Sequence, residues 1–375
     1  MKRLISMTLA AVMVLTMGAC SAKKEASTGV TLTGEAVETT VAGEDTKDLN
    51  EDVKESAEID KVGVLTMLNM TESEMSQYRK AYITASRALK DEGYFNRPNL
   101  SGNKLNEESE IVFYDTLDSM LMALNSDHIY DMIIYYRTAQ YLCANDNNLV
   151  LLYSFDFEKE RNTFAELMLS GHLSNDFSFL MTEGKEDLRD EFSSVINDMK
   201  EDGTMDKLVK EQIYDIVYGA QFNPVAMPEI AGAETIKVAV TGALPPMDYV
   251  AADGTPAGFN TAVLAEISQR IGKNIELVVV DSIGRATALS SGTVDAVFWT
   301  RTNELSMKKS VSSVEEREAY INEKIAKMSE DELKAFNEIR ELINFDDYGT
   351  ADMPEGTICT VPYYSDILVP VKKKS

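Results

Sequence analysis

Two runs of alternating strand and helix patterns constrain the fold of this chain more than any other feature. In the first run, the apolar stretches 61–66, 110–115 and 131–136 have the length of buried strands, and a helical pattern follows each. The alternation stops and then restarts at residue 236. Alternating strands and helices form mostly parallel sheets covered by helices. The sequence therefore predicts an α/β protein.

The boundaries of the predicted elements follow from apolar spacing and turn residues. The predicted helices span 72–90, 117–124, 138–144, 188–200, 262–271 and 285–290, and the strands of the second run span 236–241, 275–280 and 294–299. Gly203 is expected to end helix 188–200, and Thr204 is expected to cap the helix that follows. Residues 219–235, which contain prolines and several Ala and Gly, predict a linker between the two runs.

The first twenty residues have the pattern of an export signal. Lys2 and Arg3 precede an apolar run, which ends in small residues before Cys20. This ending resembles a bacterial lipoprotein signal, in which the cysteine is lipidated, and an ordinary secretory signal is the alternative. Residues 21–58 lack aromatic side chains and predict a disordered linker. We therefore expect a lipid-anchored protein at the cell membrane, facing the exterior or the periplasm.

Charge and residue usage exclude several classes of function. The 36 Lys and Arg residues stand against 62 Asp and Glu, which argues against nucleic acid and anionic membrane surfaces as partners. His128 and His172 have no neighbours at metal-ligand spacing, and no Gly-x-Ser-x-Gly motif or phosphate loop is present. We therefore predict no metal, no cofactor and no enzyme activity. Cys143 and Cys359 either form one disulfide or stay as free thiols.

Several segments resemble the bacterial extracellular solute-binding proteins of family 3, the amino-acid-binding type. In the second run they are IKVAVTGALPPMDYVAADGTPAGFNTAVLAEISQRIGKNIELVVV (236–280), GRATALSSGTVDAVFWTRTNE (284–304) and VPYYSDILVPVKK (361–373). In the first half they are FYDTLDSMLMAL (113–124), YDMIIYYRTAQYLCAN (130–145) and the segment 175–211. The resemblance implies a two-lobed, type II periplasmic-binding-protein-like fold with a ligand cleft between the lobes, closing at a hinge.

The order of these segments is rotated relative to the family. After the signal peptide and linker, we expect second-lobe-like residues 59–145, a segment 146–218 that returns to the first lobe, the linker 219–235, and first-lobe-like residues 236–375. A helical insertion at 313–343 falls outside the resemblance, and Ser313 with Glu316 and Ser329 with Glu332 form capping-box patterns there. This order predicts a circular permutant in which Lys61 and Lys372 lie close together. Two degenerate tandem domains are the alternative.

The resemblance also implies a ligand site at the carboxyl ends of the strands. The ligand-binding residues that it implies are Tyr249, Trp299, Thr300, Arg301, Thr302, Tyr136, Asn69 and Thr71. An aromatic ring would stack on the ligand and an arginine would bind its carboxylate. Both charged anchors of the family are replaced, because Leu305 stands at its arginine position and Tyr136 at its aspartate position. Because of these replacements, the sequence does not identify the solute.

The resemblance implies that the protein binds a solute and does not catalyse a reaction on it. We expect a lipid-anchored protein that delivers a small polar or aromatic, amino-acid-like solute to the permease of an ABC importer. The alternative is a surface ligand-sensing or protein-interaction module with a degenerate cleft, in which the inserted helices contact a partner. An enzymatic role would need a carboxylate or a histidine in the cleft, and the sequence does not indicate a candidate for either.

Overall fold

Ten of the described strands form one continuous sheet that joins two α/β lobes, and the others form two small sheets. The computed structural model describes residues 59–88, 95–96, 108–151, 154–155, 174–220, 222, 225–251, 254–300, 322–323, 325–342 and 353–374. These residues belong to one compact unit. None of the described helices is both long and apolar enough to cross a bilayer. Predictions that fall outside the described residues concern Cys20, residues 21–58, His172, Arg301, Thr302, Leu305 and the Ser313–Glu316 cap.

The residues that the structure describes between 59 and 155 form lobe A. Its elements are β1 (Asp60–Leu65), a 3-10 turn (Thr66–Leu68), α1 (Glu72–Ala88), β2 (Phe95–Asn96), β3 (Ser109–Tyr114), α2 (Leu117–Asn125), β4 (Asp131–Tyr135), α3 (Tyr136–Asn145), β5 (Leu149–Leu151) and β6 (Ser154–Phe155). Strand β1 pairs in parallel with β3 on one side and with β4 on the other. Strand β4 is buried along its whole length, which explains its unbroken run of large side chains.

A long strand and a group of helices connect lobe A to the rest of the chain. They are β7 (Ser174–Thr182), α4 (Glu186–Glu201), α5 (Thr204–Val209), a π-helical turn (Lys210–Tyr214) and α6 (Asp215–Val217). The apolar face predicted for 188–200 is buried, with Phe192, Ile196 and Met199 fully covered. Gly203 adopts the left-handed conformation and precedes α5. The capping prediction for Thr204 was wrong, because Thr204 lies inside α5 and its hydroxyl accepts a hydrogen bond from Arg270 Nη2.

Residues 235–300 form lobe B, to which the later residues add an inserted helix and two strands. The elements are β8 (Thr235–Val240), β9 (Ala243–Leu244), β10 (Asp248–Val250), β11 (Pro256–Ala257), α7 (Phe259–Ile271), β12 (Asn274–Val279), α8 (Arg285–Ser290), β13 (Ala296–Thr300), α9 (Glu330–Leu342), β14 (Thr357–Cys359) and β15 (Tyr364–Lys373). Strand β8 lies between β12 and β13, and all three are parallel.

Strands β7 and β15, which we call the junction strands, join the lobes. The sheet order is β12-β8-β13-β7-β15-β4-β1-β3, and β14 and β5 pair at the sides with β7 and β15. The junction strands run antiparallel to each other and to the lobe strands beside them, β13 and β4. The predicted α/β, two-lobed type II architecture is therefore confirmed, with parallel pairing between the large-sheet strands of each lobe and antiparallel pairing where the lobes meet.

Two proximities expected of a rotated segment order are present. Val62 of β1 and Lys372 of β15 are both register partners of Asp131, so the two ends of the described chain lie on either side of β4. Helices α4 and α5 also pack on α7 of lobe B. The larger buried apolar cluster of the described residues contains residues of both lobes. The rotated segment order and the alternative of tandem domains both stay predictions.

The inserted helix α9 crosses from one lobe to the other. It follows β13 of lobe B in sequence, yet it packs along α1 of lobe A. Ala335 and Phe336 are buried on this helix. The predicted capping box is confirmed, because Ser329 N donates to Glu332 Oε2 at 2.7 Å and Glu332 N donates to Ser329 Oγ at 3.3 Å. One face of the insertion is thus occupied by the chain itself.

The two cysteines of the folded part are free thiols, each partly buried. Cys143 lies on α3 of lobe A and Cys359 lies on β14 beside β7. Burial raises the pKa of the Cys143 thiol to about 11, so this thiol is protonated at neutral pH. Of the two alternatives for these cysteines, the structure has the free thiols.

Candidate functional site

The carboxyl ends of strands from both lobes meet beside the junction strands. Tyr135 ends β4 of lobe A, and Thr300 ends β13 of lobe B. Phe177 of β7 lies between them, with its ring centroid 4.9 Å from that of Tyr135 and 5.4 Å from that of Phe298. Loops and helix starts follow these strand ends, which is where α/β proteins place ligands. The predicted ligand site at the carboxyl ends of the strands would therefore lie at the lobe junction.

Arg285 is a fully buried charged residue at this junction. It is the first residue of α8, and its exposed fraction is 0%. Its Nε donates to Ser282 O at 3.1 Å, and its Nη1 donates to Phe298 O at 2.9 Å. Its Nη2 reaches the other lobe and donates to Met67 O at 2.9 Å. One guanidinium thus connects strand ends of both lobes.

Asp248 supplies negative charge near Arg285 without bonding to it directly. The Asp248 carboxylate is fully buried, and its Oδ2 accepts from Thr241 N at 2.9 Å and from Thr241 Oγ1 at 2.6 Å. Its Oδ1 has no partner among the described residues. Burial raises the pKa of Asp248, and the Thr241 hydrogen bonds oppose that rise. Burial lowers the pKa of Arg285 to about 10, and attraction to Asp248 opposes that fall.

Trp299 and Thr300 lie at the carboxyl end of β13, on opposite faces of the strand. The Trp299 ring packs with Leu289 and Val297 in a buried cluster, and Arg285 Cζ lies 4.4 Å from its centroid. Thr300 is fully buried, and its Oγ1 has no partner among the described residues. Ligand contact by these two residues stays a prediction, since Arg285 already covers part of the Trp299 ring.

Tyr249 lies on the small sheet formed by β9, β10 and β11, which Gly258 holds against α7. Gly258 has φ 98°, and a Cβ there would lie 2.6 Å from Pro246 O, so only glycine fits without strain. The Tyr249 ring stacks at a tilt on Phe222, with 4.3 Å between centroids. Phe222 in turn lies 5.6 Å from the ring of Tyr141, on α3 of lobe A. The predicted cleft aromatic is therefore in contact with the segment that was predicted as a linker.

The contact between Phe222 and Tyr249 should control the ionisation of Tyr249. Burial raises the pKa of Tyr249 to about 12, and Tyr141 adds to the effect. Replacing Phe222 by Ala admits water, so the pKa of Tyr249 should fall toward the ordinary value of about 10. Phenolate absorbance is measured against pH for wild type and for Phe222→Ala, each with and without the additional change Tyr249→Phe. The difference within each pair gives the titration of Tyr249 alone. Tyr218→Phe, at an exposed tyrosine outside this contact, is the control, and an unmoved Tyr249 pKa in Phe222→Ala would contradict the packing described.

The remaining predicted residues of lobe A have local roles in this structure. Tyr136 begins α3 instead of ending the strand, is buried, and its hydroxyl accepts from Gln140 Nε2 at 3.0 Å. Thr71 forms a capping box at the start of α1, where its N and Oγ1 donate to Glu74 Oε2 at 2.7 and 2.8 Å. Asn69, in the left-handed conformation, directs Oδ1 toward Arg285 Nη2 at 3.5 Å. Of the three, Asn69 reaches the junction.

A second charged pair lies at the start of α3. Asp366 of β15 is buried, and it accepts hydrogen bonds from Arg137 N at 3.0 Å and from Ile367 N at 2.8 Å. Burial raises the pKa of Asp366 to about 7, and these hydrogen bonds oppose the rise. The Arg137 guanidinium lies 4.2 Å from the ring centroid of Tyr214, on the helices that follow β7. This contact ties α3 of lobe A to the returning helices.

Sequence reasoning missed Arg285, Asp248 and Phe222. A signal for Arg285 was present, because it shares a helix face with the apolar Leu289 four residues later, and charged residues are rarely buried without a reason. Asp248 precedes the predicted Tyr249 in the same turn and gave no signal of its own. Phe222 is the one aromatic of a segment whose composition predicted a linker, and an aromatic there is a weak sign of packing.

One known protein family matches part of the chain. Residues 236–344 match the profile of the bacterial extracellular solute-binding proteins, family 3. No curated protein sequence matches the chain. The matched segment starts at β8, two-thirds of the way along the chain, where the strand–helix alternation restarts.

Similar solved structures share little sequence with this chain. The ligand binding component of an ABC-type import system from Staphylococcus aureus is 11% identical, with a TM-score of 0.28 over 64% of this chain and 53% of that one. A phosphate-binding protein of a phosphate ABC transporter from Streptococcus pneumoniae is 10% identical, with a TM-score of 0.30 over 84% and 89%. The methionine binding protein MetQ is 10% identical, with a TM-score of 0.33 over 84% and 83%. The chain spans about half the length of the first of these, and at such scores the similarities carry no argument about ligands.

Proposed function

We propose that this chain, a divergent member of the bacterial extracellular solute-binding proteins, family 3, is a lipid-anchored receptor that delivers a small solute to an ABC importer. The observation that carries the proposal is the family match over residues 236–344, which includes the Tyr249 turn and the end of β13. The family consists of binding proteins and not of enzymes. The convergence of strand ends from two lobes at the junction strands supports the same function, because a ligand held there contacts both lobes.

The proposed mechanism is closure of the lobes around the solute, without a chemical step. The solute would be small and polar or aromatic, similar to an amino acid. The residues proposed to bind it are Tyr249, Trp299, Thr300, Arg301, Thr302, Tyr136, Asn69 and Thr71. An aromatic face stacks on rings or cations at little entropic cost, and an arginine binds a carboxylate through two parallel hydrogen bonds. A permease would recognise the closed form, since closure depends on the solute.

Thermal unfolding against a panel of amino acids, amines and small peptides tests the function. A solute held at 100 to 1,000 times its dissociation constant should raise the free energy of unfolding by roughly 2–4 kcal/mol. Tyr249→Ala and Arg301→Ala should weaken the response of any solute found, because each removes a proposed ligand contact. Exposed Lys334→Ala on α9 is a matched control and should leave the response unchanged. A panel without any shift would contradict solute binding.

The lipid anchor has its own test. Replacing Cys20 by Ser removes the thiol that would carry the lipid, so the protein should move from the membrane fraction to the soluble fraction. The measurement is fractionation followed by immunoblotting, with a salt wash to remove peripheral protein. Cys143→Ser, at a partly buried thiol within lobe A, is the control and should remain in the membrane fraction. Membrane retention of Cys20→Ser after the wash would rule out the anchor.

A second candidate function is a sensing or protein-interaction module with a degenerate cleft. It is favoured by side chains that already connect the lobes. Arg285 of lobe B donates a hydrogen bond to Met67 O of lobe A. The ring of Phe222 contacts Tyr141 of lobe A and Tyr249 of lobe B. Each connection must break before the lobes separate. If no solute shifts the unfolding temperature while Cys20 still anchors the protein, this second function becomes the better account.

A further inference from the structure

The groups around the Arg285 guanidinium form a cage of acceptors drawn from both lobes. Ser282 O and Phe298 O belong to lobe B, while Met67 O and Asn69 Oδ1 belong to lobe A. The indole of Trp299 covers one face of the guanidinium, with 4.4 Å from Cζ to the ring centroid. Carbonyl oxygens in the plane and an aromatic ring on the face are the groups that bind a guanidinium cation.

The cage needs a cation to be stable. Carbonyl and amide oxygens directed at one buried point would repel each other and lose their hydrogen bonds to water if the point were empty. Among the described residues, no carboxylate lies within ion-pair distance of Arg285, and the Asp248 carboxylate contributes only a longer-range attraction. The oxygens and the ring are therefore what compensates the burial of this charge. Two of the four acceptors come from the opposite lobe.

We propose that these groups form a guanidinium-binding site at the lobe junction, and that Arg285 is the built-in cation that fills it and holds the lobes together. The Nε and Nη1 hydrogen bonds to lobe B fix the plane of the guanidinium. The Nη2 atom then presents its two N–H groups to Met67 and Asn69, so the closed arrangement is stabilised without an external cation. Separation of the lobes breaks the Nη2 hydrogen bonds and leaves the other two intact.

The proposal restricts the chemical class of the solute that can bind at the junction. This step alone rests on the proposed function. A solute with a guanidinium or ammonium group would have to displace Arg285 from its cage. A solute with an acceptor oxygen would instead replace Met67 O at Nη2 when the lobes open. Arg285 therefore selects against cationic solutes and favours those that carry a carboxylate or a carbonyl oxygen at this position.

Chemical rescue tests the site without any knowledge of the solute. Arg285→Ala in the full chain removes the guanidinium and leaves the cage. We expect a lower unfolding temperature and roughly tenfold faster amide hydrogen exchange in residues 60–71 of lobe A, since hydrogen bonds across the junction are lost. Methylguanidinium at millimolar concentration should restore most of both losses, because it fits the cage that the truncated side chain vacates. Urea, which is planar and neutral, should restore neither.

Two further variants keep the test decisive if Arg285→Ala does not fold. Arg285→Lys retains the charge, but one ammonium cannot reach the carbonyls of both lobes, so exchange in residues 60–71 should rise. Arg270→Ala removes an arginine whose partners, Asp202, Thr204 and Glu266, do not lie in lobe A, and exchange there should not change. Wild-type exchange in Arg285→Lys, or a loss in Arg285→Ala that methylguanidinium fails to restore, would overturn the proposal. These outcomes do not depend on whether a solute is ever bound.

Discussion

Replacing Asp131 by Ala should lower the free energy of unfolding by about 3–5 kcal/mol, because it leaves the Arg79 guanidinium buried without its carboxylate. Arg79 Nη1 lies 2.5 Å from Asp131 Oδ2, and Nη2 lies 3.1 Å from Oδ1, which makes the pair bidentate. The side chains are 2% and 0% exposed, so water cannot replace the lost partner. The pair fastens α1 to β4, the strand on which the two ends of the described chain converge.

Denaturant unfolding measures this effect, and two comparisons define its cause. Glu110→Ala removes the partner of Lys61 in an ion pair that is more than half exposed, and it should cost no more than about 1 kcal/mol. Arg79→Met combined with Asp131→Leu replaces both charges by apolar groups and should recover most of the loss, since the buried pair is then removed as a whole. A loss below about 1 kcal/mol in Asp131→Ala would show that the pair is not buried as described.

The regular elements of this fold could be predicted from sequence because their signals are local. Apolar runs of strand length predicted β1, β3, β4, β8, β12 and β13 to within two residues, and apolar spacing predicted the helices between them. Tyr136 marks the limit of this reasoning. Helix α3 begins there because Asp366, 229 residues away, accepts a hydrogen bond from Arg137 N. No window of sequence around Tyr136 contains that information.

The resemblance predicted a location for the site, but it did not predict the contacts that the structure has at the lobe junction. The strand ends at Tyr249 and Thr300 were identified by the resemblance to a family, and they do lie near the lobe junction. Arg285 escaped prediction because its hydrogen-bond partners are backbone carbonyls, 13 and 218 residues away, which have no residue-type signature. Phe222 escaped because its segment lacks any periodic pattern, and its packing depends on where the two lobes place Tyr141 and Tyr249.

The junction strands decide how the two halves of the chain depend on each other. Strand β7, from the first half, lies between β13 and β15 of the second half. Strand β15, from the second half, lies between β7 and β4 of the first half. Each half therefore supplies a strand to the interior of the other, and a half on its own would expose two strand edges and their apolar faces to water.

Because each half supplies a strand to the other, we predict that neither half of the chain folds alone. This prediction provides a test of the rotated segment order. Fragments 59–226 and 227–374, divided at the exposed Ala226, should each lack a cooperative unfolding transition, and a mixture of the two should regain one. A chain rejoined in the family order, from Met227 to Lys374 and then through about six Gly and Ser residues to Ile59, should also unfold in one transition. The new linker spans only the width of β4, roughly 10 Å between the strands on either side. Circular dichroism and calorimetry measure these outcomes, and two fragments that each unfold cooperatively on their own would establish tandem domains instead.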